Sequence, residues 1–160
     1  MRPSLDQWAM DVAQATAKRG TCLRRQVGCV LLDREKRVVA TGYNGVAAGL
    51  PHCNDPVVVP GRLPVTVING RPYNHACAGA SAPSGQGLDL CEAIHAEQNA
   101  LLRCGDVTKL WSCYTTASPC VTCVKLLMST PCWRVVFLEE YPHTQAREYW
   151  LAAGREWVKL

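Results

Sequence analysis

No run of apolar residues in this 160-residue chain approaches the roughly 20 needed to cross a membrane. The segment Met1 to Met10 lacks the basic stretch followed by an apolar one that marks a secretory signal, so a cytoplasmic location is the expectation. There is no internal repeat and no low-complexity tail. Charge of one sign is also scarce: 17 Lys and Arg stand against 13 Asp and Glu, a formal net charge of +4. That surplus suits an anionic small molecule such as a nucleotide, and it is too small and too dispersed for a nucleic-acid-binding surface. The tight basic clusters are Lys18-Arg19, Arg24-Arg25 and the group from Arg34 to Arg37, the last of which reads as a solvated turn.

Cysteine is the opposite case, with ten in the chain. In a small secreted protein ten would suggest a disulfide framework; without a signal, metal ligation and burial are the expectation. One domain of this length can build a core without disulfides. Cys29, Cys104, Cys113 and Cys132 lie in or beside apolar segments and read as core or partly buried thiols. Cys22, Cys53, Cys77 and Cys91 lie in or beside irregular segments and need another account.

The remaining two cysteines belong to the pattern that organises the chain. His95-Ala96-Glu97 is followed by Pro119-Cys120-Val121-Thr122-Cys123, with room for a helix and a strand between. One histidine and a Cys-x-x-Cys pair are three zinc ligands; a catalytic zinc leaves its fourth position to water. Together with a glutamate two residues from the histidine, this is the H-x-E…P-C-x-x-C signature of zinc nucleobase deaminases. Deamination needs hydroxide at neutral pH, which zinc supplies by lowering the pKa of bound water to about 7. A carboxyl group that does not ligate the metal can carry the proton to the ring nitrogen and the leaving ammonia, and Glu97 is the candidate. Cys120 and Cys123, three residues apart, share one face of a helix starting near Pro119. His95 opens a second apolar-periodic run, and helix N-termini stabilise thiolates.

In chain order, Ser4 and Gln7 predict a capping box for a first helix with Leu5, Trp8, Ala9, Val12, Ala15 and Thr16 at helical spacing, Trp8 and Val12 in the core, and Gly20 as its stop. Gln26 to Leu32 and Arg37 to Tyr43 predict an antiparallel hairpin covered on both faces. Gly42-Tyr43-Asn44-Gly45 follows as a turn. Gly45 to Leu90 is long and without clear period, with a short extra hairpin in Val57 to Ile68; a stretch of that length is usually functional or stapled. Helices are expected over Cys91 to Arg103, Ser118 to Met128 and Thr144 to Ala153, and strands over Leu110 to Thr115, Arg134 to Glu139 and Glu156 to Leu160. The order indicates an α/β sandwich: one domain over 1–160, a mixed five-stranded sheet between helices on both faces. Trp150 and Trp157 read as core, with a subunit interface as the alternative.

These residues resemble the deoxycytidylate (dCMP) deaminases of the cytidine deaminase superfamily, bacteriophage versions included. The resemblance is carried by Cys22 to Val30, Thr41 to Cys53, Ile94 to Leu102 and Tyr114 to Cys123. It implies a three-layer cytidine-deaminase-like fold, conversion of dCMP to dUMP and ammonia, zinc on His95, Cys120 and Cys123, and Glu97 as proton shuttle. It implies that Asn44 binds the sugar and that the backbone at Ala96 and Ser118 reads the pyrimidine. It also implies an allosteric site near Gly42, Tyr43 and Gly45, where dCTP (with Mg2+) activates and dTTP inhibits, and a hexamer. Relatives can carry a second, structural zinc; the matching positions are Cys22 and Cys53, completed by Cys77 and Cys91 with His75 as substitute, and unligated thiols are the other reading. For the 5′-phosphate, Arg24 and Arg25 are the candidates, with Tyr141 a further one and His143 read as a turn residue. Alternatives of substrate are a 5-substituted dCMP such as the 5-methyl form, or a base in tRNA or single-stranded DNA. The second is disfavoured because the long stretch has Tyr73 but no Trp or Phe for stacking. A non-catalytic zinc or nucleotide-sensing module is disfavoured by the retained Glu97.

Overall fold

The structure, a computed structural model, describes residues 1–50, 52–55, 66–68, 71–73, 79, 82–83, 86–87, 90–142 and 144–160. The chain begins with helix α1 (Leu5–Ala17). Ser4 caps it, its Oγ accepting from the Gln7 amide at 3.1 Å. The Gln7 side chain reaches forward to Asp11 at 2.8 Å, so only the Ser4 half of the expected capping box is shown. Strands β1 (Gly28–Asp33) and β2 (Val38–Tyr43) form the expected hairpin. The short pair β3 (Thr66–Ile68) and β4 (Arg71–Tyr73) lies later than the hairpin expected from Val57, and 57–65 lie outside the described residues. Then come α2 (Ala96–Arg103), β5 (Leu110–Ala117), α3 (Val121–Met128), β6 (Arg134–Glu139), α4 (Gln145–Ala152) and β7 (Glu156–Lys159).

The main sheet has the order β2-β1-β5-β6-β7. β1 runs antiparallel to β2 and β5, while β5, β6 and β7 are parallel. Helix α1 covers one face, where Ala9, Met10 and Ala13 pack with Val30, Leu32, Tyr114 and Val136. Helices α2, α3 and α4 cover the other, where Ala96, Ala100, Val124, Leu127, Ala146 and Trp150 pack with Cys29, Leu31, Cys113, Val135 and Phe137. Alternate residues of β1 thus feed two cores, and all six are buried. This is the expected sandwich of a mixed five-stranded sheet between helical layers.

Trp8 corrects the sequence reading: it is 39% exposed. Helix α1 approaches the sheet on its small residues, so closely that a Cβ at Gly28 would lie 2.0 Å from the Ala13 carbonyl oxygen. At about 100° per residue, Trp8 points roughly 140° away from Ala13, off that contact line. Val12 is partly buried and packs against the core. Trp150 is fully buried, and the Trp157 ring lies 6.5 Å from it, packed against the same core.

Two helices begin about one turn later than the expected starts at Cys91 and Ser118, with His95 at a helix N-terminus as expected. Residues 91–95 do not start α2, because Ile94 pairs with Gly45 in an isolated antiparallel bridge and His95 is the N-cap, extended at φ −67 and ψ 156. Likewise Pro119 lies one residue before Cys120, which is the N-cap of α3 at φ −72 and ψ 170. The N-cap positions leave both side chains outside the helices, where they can face each other.

Candidate metal centre and active site

Both N-termini open on the same side of the sheet and bring three soft donors together. The His95 Nδ1 lies 3.4 Å from Cys120 Sγ and 3.4 Å from Cys123 Sγ. Among the described residues these three form the one group of His, Cys, Asp or Glu ligand atoms lying within 4.8 Å of one another. A tetrahedral zinc with Zn–N and Zn–S bonds of about 2.0 and 2.3 Å needs N···S separations of about 3.5 Å, so the donor set fits zinc in type and in spacing. Gln98 fixes the histidine backbone, its Oε1 accepting from the His95 amide at 2.9 Å.

The thiols are electrostatically unequal. Cys120 is brought down to about 4 by the hydrogen bond from the Cys123 thiol and by contact with the His95 ring, against the opposing effect of burial. Cys123, in the first turn of α3, is pushed up by the same pairing and by burial. His95 is raised by its contact with the Cys120 sulfur. Glu97 is 4% exposed, and its carboxylate oxygen lies 3.7 Å from Cys123 Sγ. Burial pushes the Glu97 carboxyl up, which favours its protonated form.

A cavity of about 90 Å³ lies beside this group, lined by Arg24, Arg25, Asn44, His95, Ala96, Glu97, Ser118, Cys120 and Tyr141 among others. Every expected substrate contact therefore lies on one wall or another, but several polar atoms are already engaged. The Asn44 amide braces the approach to β1: its Oδ1 accepts from the Val27 amide at 2.8 Å and its Nδ2 donates to the Arg25 carbonyl at 2.7 Å. The Ser118 amide donates to the Glu139 carbonyl at 2.8 Å, and Ser118 Oγ accepts from the Tyr141 amide at 2.7 Å. Arg24 donates to the carbonyls of Gly79 at 3.3 Å and Pro83 at 2.9 Å, which clamps the long connection to the cavity rim. Arg25 is ion-paired with Glu139.

The turn Gly42-Tyr43-Asn44-Gly45 joins these walls to α2. A Cβ at Gly42 would lie 2.2 Å from the Ala96 carbonyl oxygen and 2.4 Å from the Ala100 amide, so α2 rests directly on β2 there. The Asn99 amide donates to the Tyr43 carbonyl at 2.8 Å, and Gly45 and Ile94 exchange backbone hydrogen bonds at 3.1 and 2.8 Å. Asn99 and Glu139 were not legible as site residues. Asn99 carried a weak signal, since four residues after His95 it shares the same helix face. Glu139, the end of a strand, carried none.

Of the second set of cysteines, Cys22 and Cys91 line the same cavity as Glu97, and Cys53 is buried. Thr21 Oγ1 and His52 Nδ1, 3.5 Å apart, lay the segments of Cys22 and Cys53 side by side. His75, Cys77 and His143 lie outside the described residues. Cys29, Cys113 and Cys132 are buried and Cys104 half-buried, as expected of core thiols. No helix among the described residues is long and apolar enough to cross a membrane.

Comparison with known proteins agrees with this geometry. Residues 3–139 match the family model described as the cytidine and deoxycytidylate deaminase zinc-binding region. Over 143 residues the chain is 34% identical to the deoxycytidylate deaminase of Saccharomyces cerevisiae, covering 88% of this chain and 39% of that protein. It is 34% identical to the deoxycytidylate deaminase of Mycobacterium phage D29, covering 87% of this chain and 98% of the phage protein. The chain thus spans about two fifths of the yeast relative and nearly all of the phage one. The fold matches that of the dCMP deaminase from cyanophage S-TIM5, solved in complex with dCMP and dUMP, with a TM-score of 0.69 at 22% identity over 100% of this chain and 99% of that one.

Proposed function

The chain belongs to the cytidine and deoxycytidylate deaminase family of the zinc-binding region, and on that premise we propose that it hydrolyses dCMP to dUMP and ammonia. The observation that carries the reading is the buried Glu97 carboxyl at the cavity, next to the donor set of His95, Cys120 and Cys123. Those three residues would hold zinc, which when bound supplies the Lewis acidity that makes water nucleophilic at neutral pH. Glu97 takes a proton from the attacking water and gives it to the ring nitrogen. It then delivers the second proton to the exocyclic nitrogen as the C4–N bond breaks and ammonia leaves. Its burial supports this role, since a desolvated carboxyl holds a proton more readily than an exposed one.

The remaining walls orient the nucleotide. Asn44 keeps one amide hydrogen and one lone pair beyond its two backbone contacts, enough to meet the sugar. The backbone of Ala96 and the carbonyl of Ser118 face the base, the Ser118 amide being committed to the sheet. Arg25, with Tyr141 nearby, meets the 5′-phosphate, and Arg24 is the clamp of the long connection. A structural zinc held by Cys22, Cys53 and Cys91, with Cys77 or His75, would staple that connection; the neighbouring Cys22 and Cys53 segments support it. Regulation by dCTP with Mg2+ and by dTTP near Gly42–Gly45, and a hexameric assembly, rest on family resemblance alone. The coupling of that turn to α2 gives an effector a path to Glu97.

The test replaces Glu97 and Cys120 separately. Glu97→Ala should keep zinc and lower kcat for dCMP by about 10²- to 10⁴-fold, whereas Cys120→Ser should lose the metal. Near-normal turnover of Glu97→Ala would remove the carboxyl from the mechanism.

A further inference from the structure

The rim of the cavity carries an acidic residue that neither the metal chemistry nor the base contacts require. Glu139 is the last residue of β6, and its carbonyl holds the Ser118 amide at 2.8 Å, so its backbone is fixed to the cavity wall. Its carboxylate meets the Arg25 guanidinium. The Arg25 side chain is 26% exposed and that of Glu139 is 71% exposed, so the cation lies inward and the carboxylate lies toward solvent. We propose that Glu139 restricts the substrate to a single phosphate: Arg25 receives the first phosphate, and the carboxylate on its solvent side repels a second. The inference rests on the nucleotide reading above and deepens it from a phosphorylated substrate to a phosphate count.

A count of charge supports it. Arg24, Arg25 and Glu139 together carry +1, and a phosphate monoester carries about −1.5 to −2 at neutral pH. The first phosphate already exceeds the net charge of these three side chains. A second phosphate, extending outward from Arg25, meets the carboxylate, and among the described residues lining the cavity Arg24 and Arg25 are the only Lys or Arg side chains to balance it. Among the described residues lining the groove beyond, Glu140 and Arg147 are one acid and one base, which offset each other. The contact between Glu139 and Arg25 is therefore where discrimination between one phosphate and two would arise. If Glu139 merely oriented Arg25, its loss would weaken every phosphorylated ligand alike and leave their ratio unchanged.

The experiment measures Kd for dUMP and dUDP, and kcat/KM for dCMP, dCDP and deoxycytidine, on the wild type, Glu139→Gln and Glu139→Asp. The wild type should prefer the monophosphate in both measurements. In Glu139→Gln that preference should fall about tenfold, equivalent to about 1.4 kcal/mol, close to the value of one unit-charge contact at about 4 Å in a water-like surrounding. Glu139→Asp, which keeps the charge, should restore it. A ratio taken within one preparation does not depend on the folded fraction, and Glu139→Ser should repeat the result. An unchanged ratio, or parallel loss of dUMP and dUDP binding, overturns the inference while leaving the nucleotide reading intact. Failure of the wild type both to bind dUMP and to consume dCMP overturns the two together.

Discussion

Replacing Gly42 by alanine should disable the site from the far side of its helix. The added Cβ would lie 2.2 Å from the Ala96 carbonyl oxygen, 2.4 Å from the Ala100 amide and 3.0 Å from the Ala100 Cα. All three are backbone atoms of α2, so no side-chain rotation relieves the contact. Going from 2.2 Å to the 3.4 Å of ordinary contact requires α2 to retreat by about 1.2 Å. That helix has His95 as its N-cap and carries Glu97 in its first turn. A misplacement of about 1 Å at reacting groups costs on the order of 10²-fold in rate, and overpacking costs about 1–3 kcal/mol of stability. Gly28→Ala is the matched control. Its Cβ would meet the Ala13 carbonyl oxygen at 2.0 Å and the Ala17 amide at 2.5 Å, displacing α1 on the opposite face of the sheet. Both variants should melt earlier than the wild type by circular dichroism. Only Gly42→Ala should lose about 10²-fold in kcat per folded, zinc-loaded molecule. Equal activity in the two variants would refute the claim that the Gly42 contact sets the position of Glu97.

Two further expectations concern stability. Asp6 accepts from Arg134 Nη1 and Nη2 at 2.6 and 2.9 Å and from the Tyr114 hydroxyl at 2.8 Å, tying α1 to β5 and β6. The Arg134 hydrogen bonds hold its carboxyl below the ordinary value of 3.8, against the opposing effect of burial, and the buried Tyr114 phenol is pushed up to about 12. A depressed carboxyl contributes its stability above the unfolded pKa and loses it as pH falls through the folded one. Asp6→Asn should therefore cost about 1.5–3 kcal/mol at pH 7 by urea unfolding, and the gap from wild type should close in the acid region below about pH 4. A gap independent of pH would contradict the ion-pair account. Arg155 donates to the Cys132 and Met128 carbonyls at 2.7 and 2.9 Å, near the C-terminal end of α3, and its guanidinium lies 5.1 Å from the Trp150 ring. Arg155→Ala should destabilise by about 1–3 kcal/mol with kcat per folded molecule unchanged, and an unaltered melting temperature would show that water replaces those bonds.

The grouping of the candidate metal donors was more legible than the contacts that support it. His95, Glu97, Cys120 and Cys123 stand in a fixed local pattern, and each helix start delivers its residue to the same place, so spacing was enough to bring them together. The sheet was legible for the same reason, since Val135-Val136-Phe137-Leu138 and the flanking apolar strands keep their period over whole elements. Trp8 was misread because periodicity ranks residues by hydrophobicity, whereas the α1 contact selects for small size at Ala13 and Ala17 opposite Gly28. The separate tasks of Arg24 and Arg25 could not be read from two adjacent arginines. Their partners, Gly79, Pro83 and Glu139, are 55, 59 and 114 residues away along the chain, and such pairings follow from the fold. Gly42 and Asn44 looked like turn residues and are; what the local pattern does not show is that the turn carries α2 on one side and braces the Arg25 segment on the other.

The central claim is that the zinc-loaded chain deaminates dCMP, and the most direct measurement follows ultraviolet absorbance with dCMP, deoxycytidine, 5-methyl-dCMP and a cytosine-containing oligonucleotide in parallel. The account predicts rapid loss of dCMP with release of ammonia, weak use of deoxycytidine and none of the oligonucleotide. A chain that binds zinc at His95, Cys120 and Cys123 yet leaves dCMP untouched, or consumes only the oligonucleotide, would contradict it.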